Sequence, residues 1–297
     1  MFSRLDFSLS AVVFSLLVLG VCAGCQLIPL GQTAFHESVA FLWQKRANLG
    51  FDTYQIRSVD SSYFPHRLLL KSGQGSHIHV YLEGDGKAWL NRKTYAMTPT
   101  VPNPVLLEIM LNDPAPAIYL GRPCYFLDEY PVQDSRCSPY WWTFGRFHPD
   151  VVSSVKEVLL QLNPEQPEMT LIGHSGGATL AALLAHQLPN IERVITFAGN
   201  LDTDRWTRYH GYAPLTGSTN PFGLGPLPDK IAQYHFVAME DREILPRWIA
   251  DYAEMQSRAT LIPLDDTEHQ CCWPTNWWAL MNNAKTRDGS QGIPHDW

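Results

Sequence analysis

An apolar run at 169–173 ends on a serine set among glycines, and small residues suited to a helix follow at once. The pentapeptide Gly173-His174-Ser175-Gly176-Gly177 fits the pattern G-x-S-x-G. A serine in that pattern occupies a sharp corner between strand and helix, with unusual backbone angles. The glycines carry no side chains, so the two elements can pass close to one another. The corner lifts the serine oxygen to the edge of a sheet, and the helix N-terminus beneath it lends positive potential to a developing anion. Ala178, Ala181, Ala182 and Ala185 let that helix lie close on the sheet. The pentapeptide alone is a weak signal. Its position between an apolar strand and a small-residue helix is what marks Ser175 as a candidate nucleophile.

Strands and helices alternate on both sides of this corner. Strands are predicted at 54–58, 67–71, 77–83, 117–120, 169–173, 191–198, 231–239 and 259–263. Helices are predicted at 33–49, 102–111, 148–162, 177–188, 246–258 and 274–284. Such alternation implies an α/β fold, a mostly parallel central sheet with helices on both faces. Right-handed crossovers then gather the strand C-terminal ends along one edge, where the sites of such sheets lie. Residues 199–229 break the alternation. They are rich in Pro, Gly, Thr and Asn without clear periodicity, and a lid or substrate-binding insertion is expected there.

The first 25 residues are set apart from the fold. Arg4 precedes an apolar run, Leu9 to Ala23, that is shorter than the roughly 20 residues needed to cross a bilayer. It reads as a secretory leader. The run closes on Cys22-Ala23-Gly24-Cys25-Gln26, which resembles the lipobox of bacterial lipoproteins, with Cys22 where Leu is usual. That resemblance implies a lipidated Cys25 as the mature N-terminus. With Gln26 next, it implies an outer-membrane protein facing the periplasm and held to the membrane by its lipid. A plain leader cleaved nearby is the alternative. Residues 26–297 are then read as one domain, which a chain of 297 residues is long enough to form. The formal charge of −7, with no block of Lys or Arg, argues against a nucleic-acid partner. An exported chain meets an oxidising compartment, so Cys124, Cys137, Cys271 and Cys272 are expected to pair. Three pairings are open, of which a local Cys124–Cys137 bridge is the simplest. A zinc site from His269, Cys271 and Cys272 is disfavoured, because adjacent cysteines do not match the usual ligand spacing.

From about residue 77 to 275 the chain resembles bacterial α/β-hydrolases. More narrowly, it resembles Gram-negative, often lipoprotein-type members of that superfamily. The narrower resemblance is carried by Glu83-Gly84-Asp85-Gly86, Gly121-Arg122-Pro123-Cys124, the Ser175 pentapeptide, Ala198-Gly199-Asn200-Leu201-Asp202 and His269-Gln270-Cys271-Cys272-Trp273. In this fold the chain order is Ser, then an acid after a strand, then His near the C-terminus. Asp241, between an apolar strand and Pro246, resembles the acid. Glu240, Glu243 and Asp202 stay open. His269 follows the last predicted strand and suits a general base. His295 lies too near the terminus, the side chain of His174 is expected to point elsewhere, and His77 and His79 share one strand face. Two backbone N–H groups should hold the oxyanion, one from Gly176 and one from Gly84 or Asp85 in the loop after an early strand. The resemblance implies a serine hydrolase acting by acyl-enzyme transfer on a small ester-type substrate, with no cofactor and no metal. A serine peptidase, an acyltransferase and a non-catalytic envelope binding protein are the alternatives, since one fold hosts many functions.

Overall fold

Apolar runs in the sequence become the middle of an eight-stranded sheet. The computed structural model describes residues 54–101, 104–127 and 133–286. The expected leader with Cys25, the expected helix at 33–49 and His295 lie outside them. The strands are β1 (Tyr54–Asp60), β2 (Pro65–Lys71), β3 (Ile78–Leu82), β4 (Trp89–Asn91), β5 (Thr94–Tyr95), β6 (Ala117–Leu120), β7 (Met169–His174), β8 (Ile191–Phe197), β9 (Ala232–Ala238) and β10 (Ala259–Leu264). The large sheet runs β1-β2-β6-β3-β7-β8-β9-β10. Strand β2 is antiparallel to both neighbours, and every pair from β6 to β10 is parallel. Every residue of β6 and β7 is buried, the pattern of strands covered on both faces. Edge strand β1 has no fully buried residue.

The helices are α1 (Val105–Asn112), α2 (Pro149–Leu162), α3 (Gly176–Ala185), α4 (Thr203–His210), α5 (Pro246–Glu254) and α6 (Trp277–Thr286). Pro149 and the ring of His148, which accepts the Asp150 N–H at 3.1 Å, start α2. Its inward stripe is Val151, Val152, Val155, Val158 and Leu159, as the spacing predicts. Helix α3 is buried all round, which its glycines and alanines permit.

The structure corrects the sequence reading in two places. Residues 199–229 contain a helix, α4, capped by Asp202 at its start and by Gly211 at φ 64° at its end. Among its eight residues only Trp206 is both apolar and buried, so no apolar period was there to read. The hairpin β4–β5 was also missed, since strands of three and two residues carry no usable alternation. Cys124 bridges Cys137 with Cα atoms 5.8 Å apart, and Cys271 bridges Cys272.

His66 and His235, in β2 and β9, are wholly buried. His66 lies between the Gly121 carbonyl (2.9 Å) and Ser154 Oγ (2.6 Å), and His235 lies 2.8 Å from Thr196 Oγ1. Burial lowers both to about 4. The unfolded chain therefore binds more protons than the folded one between about pH 6.5 and pH 4. Stability is expected to fall as pH drops through that window, by about 3 kcal/mol for each histidine. Urea denaturation at pH 7 and pH 4.5 measures it. His235→Gln should flatten the dependence, and an unchanged slope would overturn the assignment to His235.

Candidate active site

The corner after β7 is built as its residues require. Ser175 has φ 50° and ψ −118°, a strained conformation for a residue with a β-carbon. The strain is held by its surroundings. The Ser175 N–H donates to the Phe197 carbonyl at 3.0 Å, and its own carbonyl accepts from Ala178 and Asn200. Gly173 leaves no room for a side chain, since a β-carbon there would lie 2.4 Å from the Ala178 nitrogen.

Parallel neighbours β9 and β10 deliver two more groups to the same edge. Asp241 follows β9 and is buried. Its Oδ1 accepts the N–H groups of Glu243 (2.7 Å) and Ile244 (2.9 Å), which fixes the carboxylate. Its Oδ2 lies 2.7 Å from His269 Nδ1, and His269 Nε2 lies 3.0 Å from Ser175 Oγ. A carboxylate only accepts, so Nδ1 carries the proton and Nε2 turns its lone pair to the serine. The other acids are engaged elsewhere or turned outward. Glu243 Oε1 accepts from Trp206 Nε1 at 2.9 Å, Asp202 caps α4, and Glu240 is exposed.

His174 has a place that the sequence did not reveal. Its ring is buried, and Nε2 donates to the His269 carbonyl at 2.7 Å. Trp273 Nε1 donates to the same carbonyl at 3.2 Å. The backbone of His269 is thus held from two sides. A histidine inside the pentapeptide was the available signal, but only the fold shows what it reaches. His79 lies 2.5 Å from Asp113 and His77 lies 3.3 Å from Glu192, at the opposite edge of the sheet.

The loop after β3 faces the corner. The Gly84 N–H turns back toward Glu83 Oε1 at 3.3 Å, whereas the Asp85 N–H meets no acceptor among the described residues. Of the two candidates for the second oxyanion donor, the geometry thus leaves Asp85 open and Gly84 engaged. The Asp85 side chain closes over Gly176, where a β-carbon would lie 2.0 Å from Oδ1. A bare carboxylate there would repel a developing oxyanion. Arg122 and Arg146 both bind it, Arg146 Nη1 at 2.7 Å. Burial alone would raise the pKa of Asp85, but the charges and hydrogen bonds of Arg146 and Arg122 outweigh burial and hold it below the usual carboxylate range.

These groups open on a cleft of about 1320 Å³ whose lining includes Ser175, His269, Trp89, Phe144, Arg146 and Trp206. Trp206 belongs to α4, so the segment that interrupts the alternation forms part of the cleft wall.

The sheet order and the corner serine define the class: the chain has the α/β-hydrolase fold, and it is distantly similar to esterases and serine hydrolases. No family model and no curated protein matches the sequence. Among solved structures it is similar to an esterase of Pyrococcus furiosus, with a TM-score of 0.55 and 12% identity over 82% of this chain and 95% of that one. It is also similar to an esterase of Pyrobaculum calidifontis (TM-score 0.51, 14% identity, 86% and 90% covered). A serine hydrolase involved in carbazole degradation gives a TM-score of 0.51 at 10% identity, with 79% and 100% covered. At such identities the likeness speaks to the fold and not to the narrower lipoprotein-type resemblance.

Proposed function

We propose that the protein is a serine hydrolase that cleaves a small ester through an acyl-enzyme. The observation that carries this reading is the hydrogen-bonded series from Asp241 through His269 to Ser175 Oγ. In the first step His269 Nε2 takes the Ser175 proton as Oγ attacks the ester carbonyl. The oxyanion is held by the N–H groups of Gly176 and Asp85. The tetrahedral centre then collapses, and the alcohol leaves with the proton from His269. In the second step water loses a proton to His269, attacks the acyl-serine, and releases the acid and Ser175. Asp241 keeps the imidazole in the required tautomer and stabilises its charged form. Trp89, Phe144 and Trp206 supply the apolar wall against which an acyl chain packs.

A fluorophosphonate probe tests the nucleophile. It is expected to label the wild-type chain on Ser175 and to leave Ser175→Ala unlabelled. Equal labelling of both would reject the assignment.

A further inference from the structure

A buried guanidinium without its own counter-charge lines the cleft. Arg122 is 2% exposed and Arg146 4%, and the one carboxylate that either meets among the described residues is shared, that of Asp85. Two positive charges and one negative charge leave the cluster with a net charge of +1. The donors of Arg146 are not all used. Its Nε donates to the Thr143 carbonyl at 2.6 Å and its Nη1 to Asp85, but Nη2 meets no acceptor among the described residues. Arg146 reaches the cleft beside Trp206, whose ring centre lies 5.7 Å from the guanidinium carbon.

A guanidinium this deep loses much of its hydration, and the one carboxylate that compensates it is shared with Arg122. The fold nevertheless fixes it rigidly. The Arg146 carbonyl accepts from Arg122 Nη2 at 2.7 Å, and Arg122 is itself packed on the rings of Tyr125 and Phe147. The Cys124–Cys137 bridge ties down the segment that follows Arg122. The cleft also carries other carboxylates: Glu240 and Glu268 are exposed, where water and salt screen them, half-buried Glu243 accepts from Trp206 Nε1, and buried Glu83 accepts from the Leu106 N–H and the Tyr119 hydroxyl, so none of the four pairs with Arg146. The charge of Arg146 is screened far less.

We propose that Arg146 is a specificity-determining residue whose free Nη2 binds an anionic group, a carboxylate, on the ester substrate. The proposal rests on the hydrolase reading and names the substrate class for that site. Asp85 touches both Gly176 and Arg146, so the anion sits one side chain away from the oxyanion donors. The N–H donors of that charged, planar nitrogen suit a carboxylate better than a neutral ester tail.

Paired esters test it. The 4-nitrophenyl monoester of glutaric acid against 4-nitrophenyl valerate reads the acyl side. The acetate of 3-hydroxybenzoate against phenyl acetate reads the leaving-group side. In the wild type, kcat/KM for the charged member of at least one pair should exceed that of the neutral member about tenfold or more. Arg146→Gln should collapse that ratio toward one, even where it also slows the neutral ester by loosening Asp85. Arg146→Lys keeps the charge Asp85 needs but, with one nitrogen in place of three, cannot hold Asp85 and the substrate as Nη1 and Nη2 do, and should leave an intermediate ratio. It also serves should the Gln variant not fold. A wild-type ratio near one in both pairs, or a ratio that neither variant moves, would overturn the proposal. Failure of the hydrolase reading looks different: neither member of either pair is turned over, and Ser175 takes no fluorophosphonate.

Discussion

Asp241→Asn is expected to lower kcat about 10⁴-fold and to leave the fold intact. The reason lies in how the two carboxylate oxygens are used. Oδ1 accepts from the Glu243 and Ile244 N–H groups, and the carbonyl oxygen of an asparagine can keep both bonds. The asparagine amide then faces His269 Nδ1 with a donor where the wild type has an acceptor. The imidazole must answer by moving its proton to Nε2, which lies 3.0 Å from Ser175 Oγ. A protonated Nε2 cannot take the serine proton. The loss is therefore chemical rather than structural. It should appear in kcat with little change in KM, and circular dichroism and melting temperature should match the wild type. A loss of less than about tenfold would point to another acid or to a different mechanism. Glu243→Gln would then be the next variant, because Glu243 lines the same cleft.

Much of this site was legible in the sequence because its chemistry demands local patterns. A strained serine corner needs glycines at fixed offsets, and Ser175 was marked by them. Strands β6 to β9 stood out as apolar runs because both of their faces are covered. Asp241 could not be separated from Glu240 and Glu243 by spacing. What separates them is the Asp241 Oδ1 bonds to two backbone N–H groups, a property of the turn's shape and not of its letters. The choice between Gly84 and Asp85 was hidden for the same reason, since it depends on which N–H turns back to Glu83. Helix α4 was missed because a surface helix with one buried apolar residue has no stripe to find. The cluster of Asp85, Arg122 and Arg146 spans three segments far apart in the chain. No short-range pattern can announce it, although Asp85 and Arg122 each belong to a short motif, Glu83-Gly84-Asp85-Gly86 and Gly121-Arg122-Pro123-Cys124.

Gly177→Ala is expected to destabilise the fold by more than about 4 kcal/mol, although helix propensity alone predicts the opposite sign. Gly177 lies in the first turn of α3, where an alanine gains about 1 kcal/mol over glycine in an exposed helix. Here the added β-carbon would lie 1.9 Å from the Leu82 carbonyl oxygen and 2.6 Å from that of Glu83. Both are backbone atoms at the end of β3, in the middle of the sheet, and no rotamer change can move them aside. Either α3 lifts off the sheet or the end of β3 gives way, and each outcome opens a tightly packed interior. For a chain of this length the melting temperature should fall by roughly 6 °C or more. Gly211→Ala provides the contrast. Gly211 has φ 64° but nothing within 4 Å of a β-carbon, so the variant should cost only about 1 kcal/mol from backbone strain. Thermal denaturation of the two variants beside the wild type separates steric conflict from conformational preference. A Gly177→Ala protein that melts at or above the wild-type temperature would show that α3 and β3 are not in contact as described. The same clash reaches the chemistry, because the end of β3 leads directly into Glu83, Gly84 and Asp85. Any folded fraction of the variant should therefore lose activity beyond its loss of stability, through displacement of the Asp85 N–H from the developing oxyanion.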